Sequence, residues 1–143
     1  MDIRRYLGKI SGPLLDRIDM HIEVESIAPS ALGELKPDGE TSAAVRERVC
    51  KARSLQYERY QGKISSNARL DARTINTYCP MTKEARSLLN SASEKMQLSN
   101  RAYTRVIKLA RTIADLAGAD TIGEMHIAEA VQYRALDKKY WGQ

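Results

Sequence analysis

Phenylalanine is absent from the 143 residues, tryptophan occurs once and tyrosine seven times. Any core is therefore aliphatic, with tyrosine at its edges. The two cysteines, Cys50 and Cys79, stand far apart, with no Cys-x-x-Cys pair and no histidine close by. That excludes a disulfide scaffold or a zinc ribbon and fits a reducing, cytoplasmic setting. No run approaches the roughly 18 apolar residues of a membrane span. The first residues, Met1-Asp2-Ile3-Arg4-Arg5, lack the apolar stretch of a secretory leader. Catalytic signatures are missing too. Gly8-Lys9 and Gly62-Lys63 have neither the upstream glycine nor the following hydroxyl of a phosphate loop, and no Gly-x-Gly-x-x-Gly or Gly-x-Ser-x-Gly turn occurs. His21 and His126 have no carboxylate or thiol at ligand spacing, so no metal site is expected, and His126 reads as a solvated residue near a helix start. The chain by itself is not expected to catalyse a reaction.

What is present is an uneven charge. Net charge is +5. Residues 1–40 carry 5 basic and 8 acidic side chains, while residues 41–143 carry 18 basic and 10 acidic ones. The basic surplus thus belongs wholly to the second part, which suits a polyanionic partner: nucleotide, nucleic acid or an acidic protein surface.

Periodicity divides the chain in the same place. Ser11-Gly12-Pro13 breaks a weak N-terminal stretch and opens a new turn through Leu14-Leu15-Asp16-Arg17. Residues 19–25 alternate apolar Met20, Ile22 and Val24 with polar neighbours, the pattern of a half-buried strand. A lone strand needs a neighbour for its backbone groups, supplied by a second copy or by a sheet beyond these residues. Residues 26–40, with two prolines and two glycines, read as a linker. From residue 41 everything reads helical. Thr41 or Ser42 caps a helix to about Tyr60 whose expected inner stripe is Val45, Val49, Ala52 and Gln56. Asp71 caps a short helix that ends before Pro80. Thr82 begins the next, and Ser99 or Asn100 caps a long helix to Gly118 with an inner stripe of Tyr103, Val106, Ile107, Ala110, Ile113, Ala114 and Ala117. The last helix runs from about Glu124 to Leu136, and a tail carries Trp141.

Two arginines stand at joints. Arg17 immediately precedes the strand pattern, and Arg101 opens the long helix. Guanidinium groups bridge planar and phosphate anions. The plainer readings are a surface arginine flanked by Asp16 and Asp19, and a solvated first-turn residue, although a cation there opposes the helix dipole.

The stretch Arg4-Arg5-Tyr6-Leu7-Gly8-Lys9-Ile10-Ser11-Gly12-Pro13-Leu14-Leu15-Asp16-Arg17-Ile18-Asp19, followed by Asn67-Ala68-Arg69, Ser99-Asn100-Arg101-Ala102-Tyr103, Ala110-Arg111-Thr112-Ile113-Ala114-Asp115 and His126-Ile127-Ala128-Glu129-Ala130, closely resembles the C-terminal part of bacterial magnesium-chelatase-like AAA+ ATPases, the YifB/ComM family. The resemblance covers nearly the whole chain in one order. It implies a C-terminal fragment of mainly α fold. Residues 1–25 would end an α/β base domain with one β-strand, 26–40 would link, and 41–143 would form a helical lid of four to five helices. It implies that Arg17 is an arginine finger acting in trans and that Arg101 is a sensor-2 residue on ATP phosphates. Arg69 and Arg111 are left as structural or interface residues. ATP and Mg would be cofactors of the full-length protein, with none bound to the fragment. The partners implied are the rest of the same AAA+ module, further copies in a ring such as a hexamer, and DNA, since the ComM branch is associated with DNA branch migration. Two alternatives stand beside this: a magnesium-chelatase-type ATPase subunit, and an independent basic helical module that binds nucleic acid.

Overall fold

Hydroxyl side chains start three of the helices, as the sequence pattern requires. The Oγ atoms of Thr41, Thr82 and Ser99 accept hydrogen bonds from the backbone N–H three residues on, at 3.2, 3.1 and 3.1 Å. Each satisfies one of the donors that a helix start leaves without an internal partner. The computed structural model describes residues 9, 11–24, 26 and 39–134. Among these, the helices are α1 (Gly12–Leu15), α2 (Ser42–Tyr60), α3 (Ile75–Tyr78), α4 (Lys83–Met96), α5 (Asn100–Leu116) and α6 (Glu124–Gln132), with a 3₁₀ turn at Asn67–Arg69. The protein is mainly α-helical, and residues 42–132 supply five of these helices, the expected count. Trp141 and the stretch beyond residue 134 lie outside the described residues, as does most of the linker.

The core solves the lack of phenylalanine with small side chains. Ala85 on α4, Ala110 and Ala114 on α5, and Ala130 on α6 are all fully buried, so helix backbones approach closely, and α6 packs on both α4 and α5. Leu89, Val106, Ile122 and Ile127 fill the space between them. Tyr60 and Tyr78 meet edge to face at the margin, with ring centroids 5.0 Å apart. A short parallel bridge joins Met81 to Ile122 and ties the start of α4 to the approach to α6. The α5 stripe matches expectation at Val106, Ile107, Ala110 and Ala114; Tyr103 and Ile113 are partly buried and Ala117 is exposed. Gly118 ends the helix at φ 70°, with Ala119 N–H returning to the Ala114 carbonyl at 2.8 Å.

Three expectations are corrected. Val45 and Val49 do not face the core. They are 38% and 47% exposed, because only the second half of α2, from Ala52 to Tyr60, lies against the body. Residues 41–51 are all exposed. Residues 19–24 form no strand, and no strand occurs among the described residues. Ile22 and Val24 are exposed, and the His21 N–H is bonded to the Tyr133 carbonyl, 2.8 Å away, instead of a neighbouring strand. Asp71 closes a turn ahead of α3, accepting from the N–H groups of Arg73 and Thr74 at 3.0 and 2.7 Å, while Thr74 occupies the cap position.

A polar network crosses this core. The Asp115 side chain is fully buried, as is that of Arg111, one helical turn before it. Arg111 Nε donates to Asp115 Oδ1 at 3.0 Å and Nη1 to the Asp120 carbonyl at 2.6 Å, and Nη2 donates to the Ala119 carbonyl. From α2, Arg59 grips both carboxylate oxygens, at 3.1 and 2.5 Å. Asn67 donates to Asp115 Oδ2 at 2.8 Å and to Thr112 Oγ1 at 3.0 Å, and accepts from the Tyr60 hydroxyl at 2.5 Å. Burial alone would lower the pKa of the Arg59 guanidinium, but the hydrogen bonds and charge of Asp115 outweigh it and the pKa is raised. Burial raises the Tyr60 hydroxyl. Arg111 is therefore structural.

Asp115→Asn should destabilise the fold by about 3–5 kcal/mol, since it leaves Arg111 as a buried charge without a counter-ion. Ile107→Ala should cost about 2–4 kcal/mol and Val49→Ala under about 0.5 kcal/mol, by urea denaturation followed by circular dichroism. Burial raises the Cys79 thiol to about 11, while Cys50 is exposed. Alkylation of the native protein at pH 8 should label Cys50 alone, and alkylation in urea should label both, as read by peptide mass spectrometry.

Candidate functional site

Arg17 follows the helical turn α1. Its N–H donates to the Leu14 carbonyl at 2.9 Å, and among the described residues its guanidinium reaches only the Pro13 carbonyl, at 3.5 Å. The side chain is exposed. Arg101 is the second residue of α5, just after the Ser99 cap. It is also exposed, and it makes no hydrogen bond or ion pair with any described residue. Both guanidiniums therefore keep donors available for an anion.

On α5 the spacing of four, three and four places Arg101, Arg105, Lys108 and Thr112 along one face. Down this stripe the polar groups become progressively committed. Thr112 donates to the Lys108 carbonyl and accepts from Asn67, and Lys108 Nζ donates to the Ala68 carbonyl at 3.2 Å. Arg105 is ion-paired with Asp19. The cation of this stripe with no partner among the described residues is Arg101, at the end where the helix presents its free N–H groups. A positive end of the helix dipole and a free guanidinium add there, which favours an anion and disfavours a further cation.

The Asp19–Arg105 pair also brings the two candidate arginines into one neighbourhood. Asp19 is two residues from Arg17, and Arg105 is one turn from Arg101. A second anchor lies at the end of α6. Arg134, fully buried, donates from Nη1 to the Ile18 carbonyl at 2.8 Å, and its Nη2 lies 3.8 Å from Asp16 Oδ1. Sequence reasoning missed Asp19, Arg105 and the Asp115 network. The Arg111–Asp115 link had a signal: both fall on the apolar stripe of α5, four residues apart, where charges survive only as partners. Arg134 likewise follows Ile127 and Ala130 at spacings of seven and four. Nothing marks Asp19–Arg105, which joins residues 86 positions apart.

His126 differs from expectation. It is partly buried, and its Nδ1 accepts from the Gly123 N–H at 2.9 Å, capping α6. This bond fixes Nδ1 as an acceptor and gives His126 a structural task. The described residues contain no group of three or more His, Cys, Asp or Glu side chains arranged to hold a metal. Guanidiniums fit phosphate oxygens. No helix among the described residues is long and apolar enough to cross a membrane.

A family model described as magnesium chelatase, subunit ChlI C-terminal, matches residues 39–134, and one for magnesium chelatase, subunit ChlI, matches residues 1–32. The chain is 46% identical over 134 residues to competence protein ComM of Haemophilus influenzae. It is 43% and 42% identical to the uncharacterized proteins YifB of Salmonella typhimurium and Escherichia coli, over the same length. Each match covers 94% of this chain and 26% of the relative, so the chain spans about a quarter of the length of the curated relatives it matches.

Because among the described residues their guanidiniums hold no other element in place, Arg17→Ala and Arg101→Ala should each leave unfolding free energy within about 0.5 kcal/mol of the parent chain. Arg134→Ala, which removes a buried charged donor, should cost about 1.5–3 kcal/mol in the same urea titration.

Proposed function

The chain belongs to the magnesium chelatase ChlI family, and from that premise we propose that it supplies the helical lid, and the arginine-bearing end of the base, of an ATP-driven ring motor that remodels DNA. The observation that carries this reading is the pair of exposed arginines, Arg17 and Arg101, the first bonded among the described residues only to the Pro13 carbonyl of its own turn and the second to none of them. In it, residues 1–25 close the base domain, 26–40 link, and 41–143 form the lid. Arg101 contacts the phosphates of ATP, and Arg17 reaches the γ-phosphate bound by the neighbouring subunit of a ring such as a hexamer. ATP supplies the phosphoryl group when bound, and the Mg²⁺ that accompanies it would be held by residues elsewhere in the module. The part played by this chain is electrostatic. As charge builds on the transferring phosphoryl oxygens, a guanidinium already held in place stabilises it without reorganising.

DNA as the substrate rests on the 46% identity to a competence protein and on the basic surplus of residues 41–143. In the full-length ATPase, branched DNA should stimulate hydrolysis. Arg17→Ala should lower kcat by about 10³-fold with the ring still assembled, and Arg101→Ala should weaken ATP binding. Indifference to DNA together with activation by a porphyrin-pathway partner would favour a chelatase-type subunit instead. Tight, steeply salt-dependent DNA binding by residues 41–143 alone would favour an independent nucleic-acid module.

A further inference from the structure

The segment that carries Arg17 is fastened to the helical body on both sides of that residue. Before it, Asp16 lies beside the Arg134 guanidinium, Oδ1 to Nη2 at 3.8 Å. After it, the Ile18 carbonyl accepts from Arg134 Nη1 at 2.8 Å, Asp19 is ion-paired with Arg105, and the His21 N–H donates to the Tyr133 carbonyl at 2.8 Å. Arg17 is exposed, and among the described residues its guanidinium is bonded only to its own turn. An exposed ion pair by itself fastens little. Here one of the two basic anchors is a fully buried arginine, whose charge needs the Asp16–Ile18 backbone and carboxylate around it. The other anchor, Arg105, sits one turn from Arg101 on the same face of α5.

We infer that Asp19 and Arg105 are positioning residues that make Arg17 and the helix bearing Arg101 one mechanical unit. Displacement of α5 when Arg101 engages or releases an anion is passed to Arg17 through this pair. Arg134 serves as the pivot that keeps the segment seated. The inference rests on the assignment of Arg17 and Arg101 to ATP phosphates. It adds that the two arginines do not report independently: the nucleotide state sensed at one site sets the reach of the guanidinium offered to the next.

The test is a charge swap in the full-length ATPase. Arg105→Asp and Asp19→Arg, each alone, should lower kcat at least about 10-fold while KM for ATP changes little, because chemistry rather than binding is disturbed. The double variant should recover kcat to within about 3-fold of the parent, the signature of a direct pair. Arg105→Gln, which removes charge without reversing it, should fall between parent and Arg105→Asp, and it guards against a folding defect. Single variants with parental kcat, or a double variant no better than the singles, would overturn the inference. Arg17→Ala in the same assay separates the two levels. If it leaves kcat unchanged, the assignment of Arg17 itself is wrong. If it abolishes turnover while Arg105→Asp does not, only the coupling fails.

Discussion

One buried carboxylate organises the molecule. Asp115 is gripped by Arg59 from α2, by Arg111 from its own helix and by Asn67 from the 3₁₀ turn, so three elements converge on two oxygen atoms, two of them some fifty positions away from it in sequence. Apolar contacts among alanines and leucines are tolerant of small slides and rotations. A carboxylate with its donors in fixed directions is not, because a shifted helix would strand a buried charge. The register of α2 against α5 follows from this, and so does the path of residues 119 and 120, whose carbonyls accept from Arg111. With an aliphatic, alanine-rich core, the polar network supplies the directionality that large aromatic side chains would otherwise provide.

What could be read from the residues alone was whatever is local. Thr41, Thr82 and Ser99 start helices because a hydroxyl and a backbone N–H three residues away find each other regardless of context. The α5 stripe was legible because seven apolar residues repeat at spacings of three and four. The α2 stripe failed at Val45 and Val49 for a complementary reason: periodicity tells which residues share a face, not whether anything lies against that face. The strand pattern at Met20, Ile22 and Val24 failed likewise, since alternation describes a residue series and a strand is a relation to a neighbour. Arg17 and Arg101 stand out as arginines at joints, and the roles expected of them come from resemblance. The contacts that surround them, Asp19 with Arg105 and Ile18 with Arg134, join residues more than eighty positions apart and leave no trace in spacing.

The distribution of charge takes on a more specific meaning once partners are assigned. The surplus of basic residues after position 41 is not a uniform coating. Arg59 and Arg111 are spent inside on Asp115, Arg48 and Lys51 are paired with Glu40 and Glu47, Arg105 is paired with Asp19, and Arg134 is buried at the foot of the Arg17 segment. Counting charge by sign overstates what is available to a polyanion, whereas counting uncommitted guanidiniums points to a few places. Glu40 and Glu47 are held below the usual carboxylate range chiefly by their hydrogen bonds to these cations.

The free half of α2 has a geometric consequence. Its 19 residues span about 28 Å at 1.5 Å per residue, and the clamped end is the one that holds Arg59 and Tyr60. The first half is a beam fixed at one end. Turning the helical body by about 10° would sweep the tip near Thr41 through about 5 Å, for the cost of no broken core contact. A small rotation of the whole body, with the Asp115 network intact, thus becomes a large excursion at the point where the helix meets the segment that precedes it.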